Sequence, residues 1–275
     1  MVENRAGKQM QPHATLRNLC NNSRFYVLAG TLLIALGLAA ALRLAIDDSQ
    51  LYVIRLEQLY GFMAIAYWYA ALLISPLSKL WSTSRAMAFL TFTRRGIGVS
   101  AAGLACAHLV VALWGQLGGL GSLGLLPSQF IWALLLGIFA TLVLLVMAAT
   151  SFDKVVKFMT YRRWKLLHRL GYLGGIAVIL HVWLIGTHIE YSAVQIAAFV
   201  ALIILFGLEA WRLAKALSGR YSLMQKDVLV TVTVCIWIML SGALYLVPSL
   251  IAPYHGERRT AQPGQPSLHI HGGTR

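Results

Sequence analysis

Residues 166–187 of the chain read LLHRLGYLGGIAVILHVWLIGT, an apolar run that contains one arginine and two histidines. Residues 97–116 read IGVSAAGLACAHLVVALWGQ, a second apolar run with one histidine. Each run has the length of about 20 residues that a helix needs to cross the hydrocarbon core of a bilayer. The two runs therefore predict membrane-spanning helices, and ionisable side chains inside such helices commonly mark functional sites.

The composition of the whole chain is that of a membrane protein. Of its 275 residues, 59% are hydrophobic and 12% are charged, which is too little polar surface for a soluble domain of this length. The hydrophobic residues concentrate in seven runs, and the spans that they predict are 25–46, 58–78, 97–116, 129–150, 166–187, 192–213 and 228–251. The predicted fold class is an all-α membrane protein, a seven-span helical bundle.

The basic residues indicate the orientation of this bundle. The connections alternate between segments rich in Lys and Arg and segments with almost no positive charge, and 18 of the 23 Lys and Arg residues fall on one side. Lys and Arg accumulate in cytoplasmic loops, so we expect a bacterial inner-membrane protein with its N-terminus inside and its C-terminus outside. The formal charge of +14 thus reflects membrane topology, and the expected surroundings are lipid rather than nucleic acid.

Four parts are predicted along the chain: a cytoplasmic tail (1–24), a six-helix transmembrane domain (25–213), a connector with a seventh helix (214–251) and a flexible outer tail (252–275). No Gly-rich nucleotide motif lies between a strand and a helix, so we expect no flavin or nicotinamide domain within the chain. The three cysteines are widely separated and form no CxxC or CxxCH motif. This spacing argues against a zinc ribbon, a dithiol redox site and covalently attached heme.

Two histidines are predicted to lie at similar depth. Counted from the inner side, His108 is 12 residues into the third span and His181 is 15 residues into the fifth, or about 18 and 22 Å at 1.5 Å per residue. Two neutral imidazoles at one level can ligate a heme iron from both sides. Small residues such as Gly103 and Gly174 leave room for a flat macrocycle, although they could equally serve helix packing. Alternatively, either histidine only hydrogen-bonds a neighbouring helix.

A third intramembrane histidine, His168, lies 13 residues before His181, about 20 Å closer to the inner surface. On a straight helix its side chain would point about 140° away from that of His181. The same depth on the third span falls on Arg94 and Arg95, which suit heme propionates or an anionic cofactor but are poor iron ligands. Two interpretations remain open, a second, inner heme on His168 or a charge cluster at the inner surface.

Three segments together resemble the ferric reductase-like transmembrane domain family. They are Thr93-Arg94-Arg95-Gly96-Ile97-Gly98, Trp164-Lys165-Leu166-Leu167-His168-Arg169 and His181-Val182-Trp183. The spacing is 60 residues from His108 to His168 and 13 from His168 to His181. The likeness covers about residues 25–213, including 51–61 and 74–77. Within the family, the pattern is most similar to the heme-binding membrane subunits of bacterial periplasmic methionine sulfoxide reductase systems.

The resemblance implies b-type heme between the third and fifth helices, with His108 and His181 as the iron ligands. It implies that electrons enter from a cytoplasmic flavin reductase or from quinol, with FMN or a quinone as a possible further cofactor. The electrons would leave to a periplasmic redox protein, which in those systems is a methionine sulfoxide reductase. The chain is thus expected to be the electron-transfer component of an oxidoreductase, with no catalytic residue of its own.

The seventh span and the outer tail depart from the family, whose members usually have six spans. Histidines in this tail could bind copper, nickel or iron or be incidental; they are His255, His269 and His271. One alternative function is a ferric or cupric reductase at the outer surface, near Asp47, Asp48 and His188. Another is a non-redox transporter or structural protein. The spans argue against it, because they carry few other charges and no pair of broken helices in matching halves.

Overall fold

The computed structural model describes residues 12–81, 84–185 and 192–217, and within them it contains helices and turns but no strand. The α-helices are α1 (Pro12–Ala45), α2 (Ser49–Leu80), α3 (Arg85–Val110), α4 (Ser128–Ala149), α5 (Asp153–Met159), α6 (Tyr161–Leu167), α7 (Leu170–Ile185) and α8 (Ser192–Leu217). A π-helical turn (Val111–Gln116) and a 3₁₀ turn (Leu120–Leu125) connect α3 to α4. The all-helical prediction is confirmed for this part of the chain.

Five stretches of the described residues are long and apolar enough to cross a membrane: Ser23–Ala45, Ser49–Leu80, Ala86–Gln116, Ser128–Ala149 and Arg162–Ile185. They coincide with the first five predicted spans. The sixth predicted span falls on α8, which is helical but does not count among the five. The predicted seventh span, the outer tail with its histidines, and His188 lie outside the described residues.

The second span begins earlier than predicted because Asp48 caps it. The carboxylate oxygen Oδ1 of Asp48 accepts a hydrogen bond of 2.8 Å from the backbone N–H of Leu51, which satisfies one of the free amides in the first helical turn. The helix can therefore start at Ser49, nine residues before the apolar run used for the prediction. Asp48, one of the residues considered for an outer metal site, thus has a structural role.

The fifth predicted span is interrupted near its inner end. α6 stops at Leu167 and α7 starts at Leu170. Between them the hydrogen bonds connect residues three apart, from the N–H of Arg169 to the carbonyl of Leu166 at 3.1 Å and from the N–H of Gly171 to that of His168 at 3.3 Å. Such 3₁₀ bonding tightens the helix. The angle of 140° between His168 and His181, which assumes a straight helix, does not apply.

The centre of the bundle consists of two antiparallel helix pairs, α2 with α3 and α4 with α7, with α1 packed on α3 and with α3 also contacting α4. Small residues are buried where these helices approach each other, namely Ala64, Ala101, Ala102, Ala105, Ala140 and Ala177. In lipid, helices associate through close packing rather than through the hydrophobic effect. The alanines therefore explain how four helices can come close enough to share one interior.

Charged side chains join the helices at the end of the bundle that is predicted to be cytoplasmic. Asp153 at the start of α5 accepts hydrogen bonds from Arg24 of α1, at 3.2 Å, and from Arg95 of α3, at 2.6 Å. These guanidinium groups, Arg24 above all, hold the pKa of the Asp153 carboxyl below its usual range.

On the other side of the bundle, α8 is joined to α2 and α7. Arg212 donates to the hydroxyl of Ser75 at 2.7 Å and pairs with Glu209 at 2.6 Å. Tyr172 donates to Glu209 at 3.0 Å. The charges of Arg212 and Glu209 are thus paired and hydrogen-bonded, as charges placed in a membrane protein need to be.

Candidate functional site

His108 of α3 and His181 of α7 face each other inside the bundle. The centres of their imidazole rings are 6.1 Å apart, and the ring planes are inclined by 88°. Both side chains are partly buried. The structure thus brings together the two histidines that were expected at one level, and it does so between the third and fifth spans.

Backbone carbonyls of the two neighbouring helices fix both rings. Nδ1 of His108 lies 2.9 Å from the carbonyl oxygen of Glu57 in α2. Nδ1 of His181 lies 2.7 Å from that of Ala133 in α4. Because a carbonyl oxygen only accepts, each Nδ1 must carry the proton in these bonds, which leaves the lone pair on Nε2. Metal-binding histidines use the same arrangement, in which the second nitrogen donates to a carbonyl and orients the ring.

The separation of the rings fits one metal ion between them. A bond from a metal to an imidazole nitrogen is about 2 Å long, and the ring centre lies about 1 Å behind that nitrogen, so two imidazoles on opposite sides of one ion have centres about 6 Å apart. The 6.1 Å observed here matches this value. Both nitrogens that would bind the metal are also the unprotonated ones, and the residues present therefore fit a bis-histidine heme.

Glycines behind the rings leave the space that the imidazoles occupy. A Cβ atom on Gly61 of α2 would lie 3.0 Å from Nδ1 of His108. A Cβ atom on Gly137 of α4 would lie 2.8 Å from both Nδ1 and Cε1 of His181. Sequence analysis missed both glycines, since nothing in the chain shows which helix face a ring will meet. The one available signal was that Gly61 ends a segment included in the family resemblance.

Trp68 fills the bundle on the inner side of the histidine pair. A Cβ atom on Gly174 would lie only 2.6 Å from Cη2 of the Trp68 indole. Gly174 thus provides room for this indole, which favours helix packing over macrocycle space, the two roles considered for this glycine. Two polar atoms in the core have no hydrogen-bond partner within the described part of the chain, Nε1 of Trp68 and Oγ of Ser100. Their residues are 5% and 4% exposed, so a polar group of a bound molecule or a water would be needed to satisfy them.

His168 belongs to a separate cluster near the inner surface. Its ring lies against that of Trp164, with centres 4.1 Å apart, and its Nε2 is 3.3 Å from the hydroxyl of Thr150. Arg95 extends over the Trp164 ring, with its guanidinium carbon 5.6 Å from the ring centre. Arg94 instead donates to the carbonyl of Ala71 in α2 at 2.7 Å. The structure therefore links His168 to Arg95 through Trp164, whereas the guanidinium of Arg94 is bonded to the α2 backbone.

No group of three or more His, Cys, Asp and Glu side chains in the described ranges is close enough to hold a metal ion. Asp48 caps α2, and the backbone carbonyl of Asp47 accepts from Arg43 at 3.4 Å. The described residues near the outer surface thus provide no cluster for binding free ferric or cupric ions. The paired histidines remain the arrangement with the clearest chemistry.

Comparison with known proteins identifies a matching family and two similar proteins. Residues 60–180 match the family described as ferric reductase like transmembrane component. The chain is similar to the protein-methionine-sulfoxide reductase heme-binding subunit MsrQ of Cronobacter sakazakii, with 33% identity over 162 residues, 58% of this chain and 76% of that protein. It is also similar to MsrQ of Ralstonia nicotianae, with 42% identity over 76 residues, 26% of this chain and 34% of that protein. No solved structure matches the chain.

Proposed function

The chain belongs to the ferric reductase-like transmembrane family and is MsrQ-like, and from this premise we propose that it relays electrons across the bacterial inner membrane through b-type heme held by His108 and His181. It is a heme-binding membrane subunit for electron transfer, in agreement with the name of its relatives. The type of heme, its ligands, the direction of transfer and the partners belong to the proposal.

The observation that carries the proposal is the pairing of the two imidazoles. Two ionisable rings in an apolar bundle are costly, yet here they are held at 6.1 Å with their Nδ1 atoms bonded to carbonyls. If these histidines served packing alone, one hydrogen bond for each would suffice, and nothing would require the two rings to lie 6.1 Å apart. Ligation of one iron from both sides uses the nitrogens that the backbone bonds leave free.

Bound heme would supply a one-electron carrier within a hydrocarbon layer about 30 Å thick, which electrons would otherwise cross far too slowly. The chain's own contribution is to hold and orient. His108 and His181 fix the position, and the packed helices around them keep water away. Since His108 and His181 would both hold the iron, substrate chemistry is expected on partner proteins.

The charged residues at the inner surface support the entry of electrons from the cytoplasmic side. Arg95 and Arg24 provide positive charge there, and both hold the carboxylate of Asp153. The same guanidinium groups can pair with the phosphate of FMN, with heme propionates or with acidic groups of a flavin reductase. We propose a cytoplasmic flavin reductase or quinol as the donor. Use of His168 by a second heme stays a prediction, and it would require Nε2 of His168 to exchange its contact with Thr150.

The proposed acceptor is a periplasmic redox protein of the methionine sulfoxide reductase type. Its support is the name of the MsrQ relatives, which are subunits of a protein-methionine-sulfoxide reductase. A direct test compares a purified periplasmic reductase of this kind with chelated ferric iron as electron acceptors for the reduced membrane protein. Faster oxidation by the protein acceptor is expected; oxidation by chelated iron alone would favour a metal reductase.

The heme site is tested by spectra of the purified protein. We expect a Soret band and sharp α and β bands on reduction, and loss of the bands that arise from the His108–His181 site in His108→Ala and His181→Ala. Cys106→Ala is the matched control, since Cys106 is a partly buried residue of α3 two positions before His108, and it should keep the spectrum. Circular dichroism shows whether each variant is still folded. A colourless wild-type protein after expression with ample heme, or folded histidine variants with full heme content, would refute the proposal.

A further inference from the structure

Each histidine of the pair meets the same local feature of a neighbouring helix. His108 donates to the carbonyl of Glu57, and Gly61 follows four residues later. His181 donates to the carbonyl of Ala133, and Gly137 also follows four residues later. In an α-helix the carbonyl of residue i accepts from the N–H of residue i+4. The glycine therefore lies directly beside the carbonyl that receives the histidine proton.

The missing side chain is what allows the ring to reach this carbonyl. A Cβ atom at Gly61 or Gly137 would lie 3.0 or 2.8 Å from Nδ1 of the corresponding histidine. Carbon and nitrogen atoms that are not bonded to each other prefer separations of about 3.5 Å or more. An alanine at either position would therefore push the ring away from the helix, and the hydrogen bond would lengthen or break.

Other glycines in the spans do not share this feature. A Cβ atom on Gly37 of α1 or on Gly175 of α7 would meet no heavy atom within 4 Å. Close approach of a histidine is therefore no general consequence of glycine in this bundle. It occurs in both antiparallel pairs, α2 with α3 and α4 with α7, and each pair contributes one carbonyl, one glycine and one histidine.

We propose that Gly61 and Gly137, with the carbonyls of Glu57 and Ala133, are positioning residues that set the tautomer and the ring orientation of the two histidines. The inference rests on the proposed function, because it assigns these residues to the same heme. A hydrogen bond from Nδ1 makes the imidazole a more basic ligand, and a more basic ligand stabilises the ferric state. The two carbonyl bonds therefore lower the reduction potential, and the glycines keep the ring planes nearly perpendicular.

The test uses Gly61→Ala and Gly137→Ala in the full-length protein, with Gly37→Ala and Gly175→Ala as matched controls. Three quantities are measured: heme content, midpoint potential and the ferric low-spin electron paramagnetic resonance signal, which reports the mutual orientation of two axial imidazole planes. We expect a higher potential and a shifted signal in both test variants. The controls should resemble wild type.

A measurement on heme-free protein keeps the test decisive if a variant fails to take up heme. Nitrogen-15 resonances of labelled histidine distinguish Nδ1–H from Nε2–H tautomers. We expect the Nδ1–H form for both histidines in wild type, with loss of that form for His108 only in Gly61→Ala and for His181 only in Gly137→Ala. Wild-type tautomers in both variants, or an unchanged signal and potential at full heme content, would overturn the inference.

Failure of this inference is distinguishable from failure of the proposed function. If His108→Ala and His181→Ala lose heme while the test glycine variants match their controls, the ligand assignment is supported and the positioning role is refuted. If the folded histidine variants keep heme, the ligand assignment itself is wrong.

Discussion

Replacing Gly174 by alanine should destabilise the bundle, whereas the same change at the adjacent Gly175 should not. The Cβ atom at position 174 would lie 2.6 and 2.9 Å from two carbons of the Trp68 indole and 3.0 Å from Cγ1 of Val143. At position 175 it would meet no heavy atom within 4 Å. The two variants thus differ in steric contact while sharing one helix and one chemical change.

The size of the effect follows from two opposing contributions. Alanine in place of glycine favours a helix interior by up to about 1 kcal/mol, and this contribution is common to both variants. Overpacking of a filled core costs about 1–3 kcal/mol, and it applies to Gly174→Ala alone. The difference between the variants should therefore be about 1–3 kcal/mol, or about 2–4 °C in melting temperature for each kcal/mol in a protein of this size.

The assay is thermal unfolding followed by circular dichroism, with all variants in the same detergent and at the same heme content. A double-mutant cycle with Trp68→Phe identifies the contact, because phenylalanine lacks the outer indole carbons that alanine would strike. The coupling between the two changes should be about 0.5–3 kcal/mol, with Gly174→Ala less harmful in the Trp68→Phe background. Equal melting temperatures for Gly174→Ala and Gly175→Ala would refute the packing described here.

Two further predictions concern charged residues that join the helices. Because the pKa of Asp153 is lowered, its ion pairs should stabilise the fold fully at pH values above the ordinary carboxyl pKa. This stabilisation should be lost as the pH falls through the lowered pKa. Asp153→Asn should abolish this loss at acid pH. The effect should not exceed about 1 kcal/mol and should vanish in high salt, since the side chain is 58% exposed. Glu209→Gln should lower the free energy of unfolding by about 1–3 kcal/mol, because Arg212 loses its counter-charge. Tyr172→Phe should lower it by about 1 kcal/mol, because one hydrogen bond is lost. Melting temperatures at several pH values and salt concentrations check both predictions, with Asp47→Asn as a charge-matched control at an exposed position outside these ion pairs. A salt-insensitive loss in Asp153→Asn, or a larger loss in Tyr172→Phe than in Glu209→Gln, would contradict them.

The sequence predicts what depends on position along a helix. Hydrophobic length places five spans, and the constant rise of an α-helix brings His108 and His181 to one level from nothing more than their distance to the inner ends. It does not predict what depends on the rotation of one helix against another. Whether Gly61 faces a histidine or lipid is decided by packing among several helices, and the same residue type at Gly37 faces open space.

Local hydrogen bonds account for the other differences. The cap by Asp48 extends α2 beyond its apolar run, which hydropathy alone does not reveal. The 3₁₀ bonding around His168 and Arg169 separates α6 from α7, although the two residues between these helices are neither Gly nor Pro. Trp164, which lies against His168 and donates to the carbonyl of Thr150 at 3.0 Å, shows that tertiary contacts surround this break.

The way in which the histidines are held bears on what the site can do. Both rings are oriented by backbone atoms of packed helices, and a backbone carbonyl cannot change rotamer when the charge between the rings changes. Little rearrangement of the two rings would therefore accompany the gain or loss of one electron by the proposed heme, which would favour fast transfer. If His108 and His181 hold one heme iron as proposed, a substrate would find no place to bind at that iron, and the chain would act only together with a donor and an acceptor.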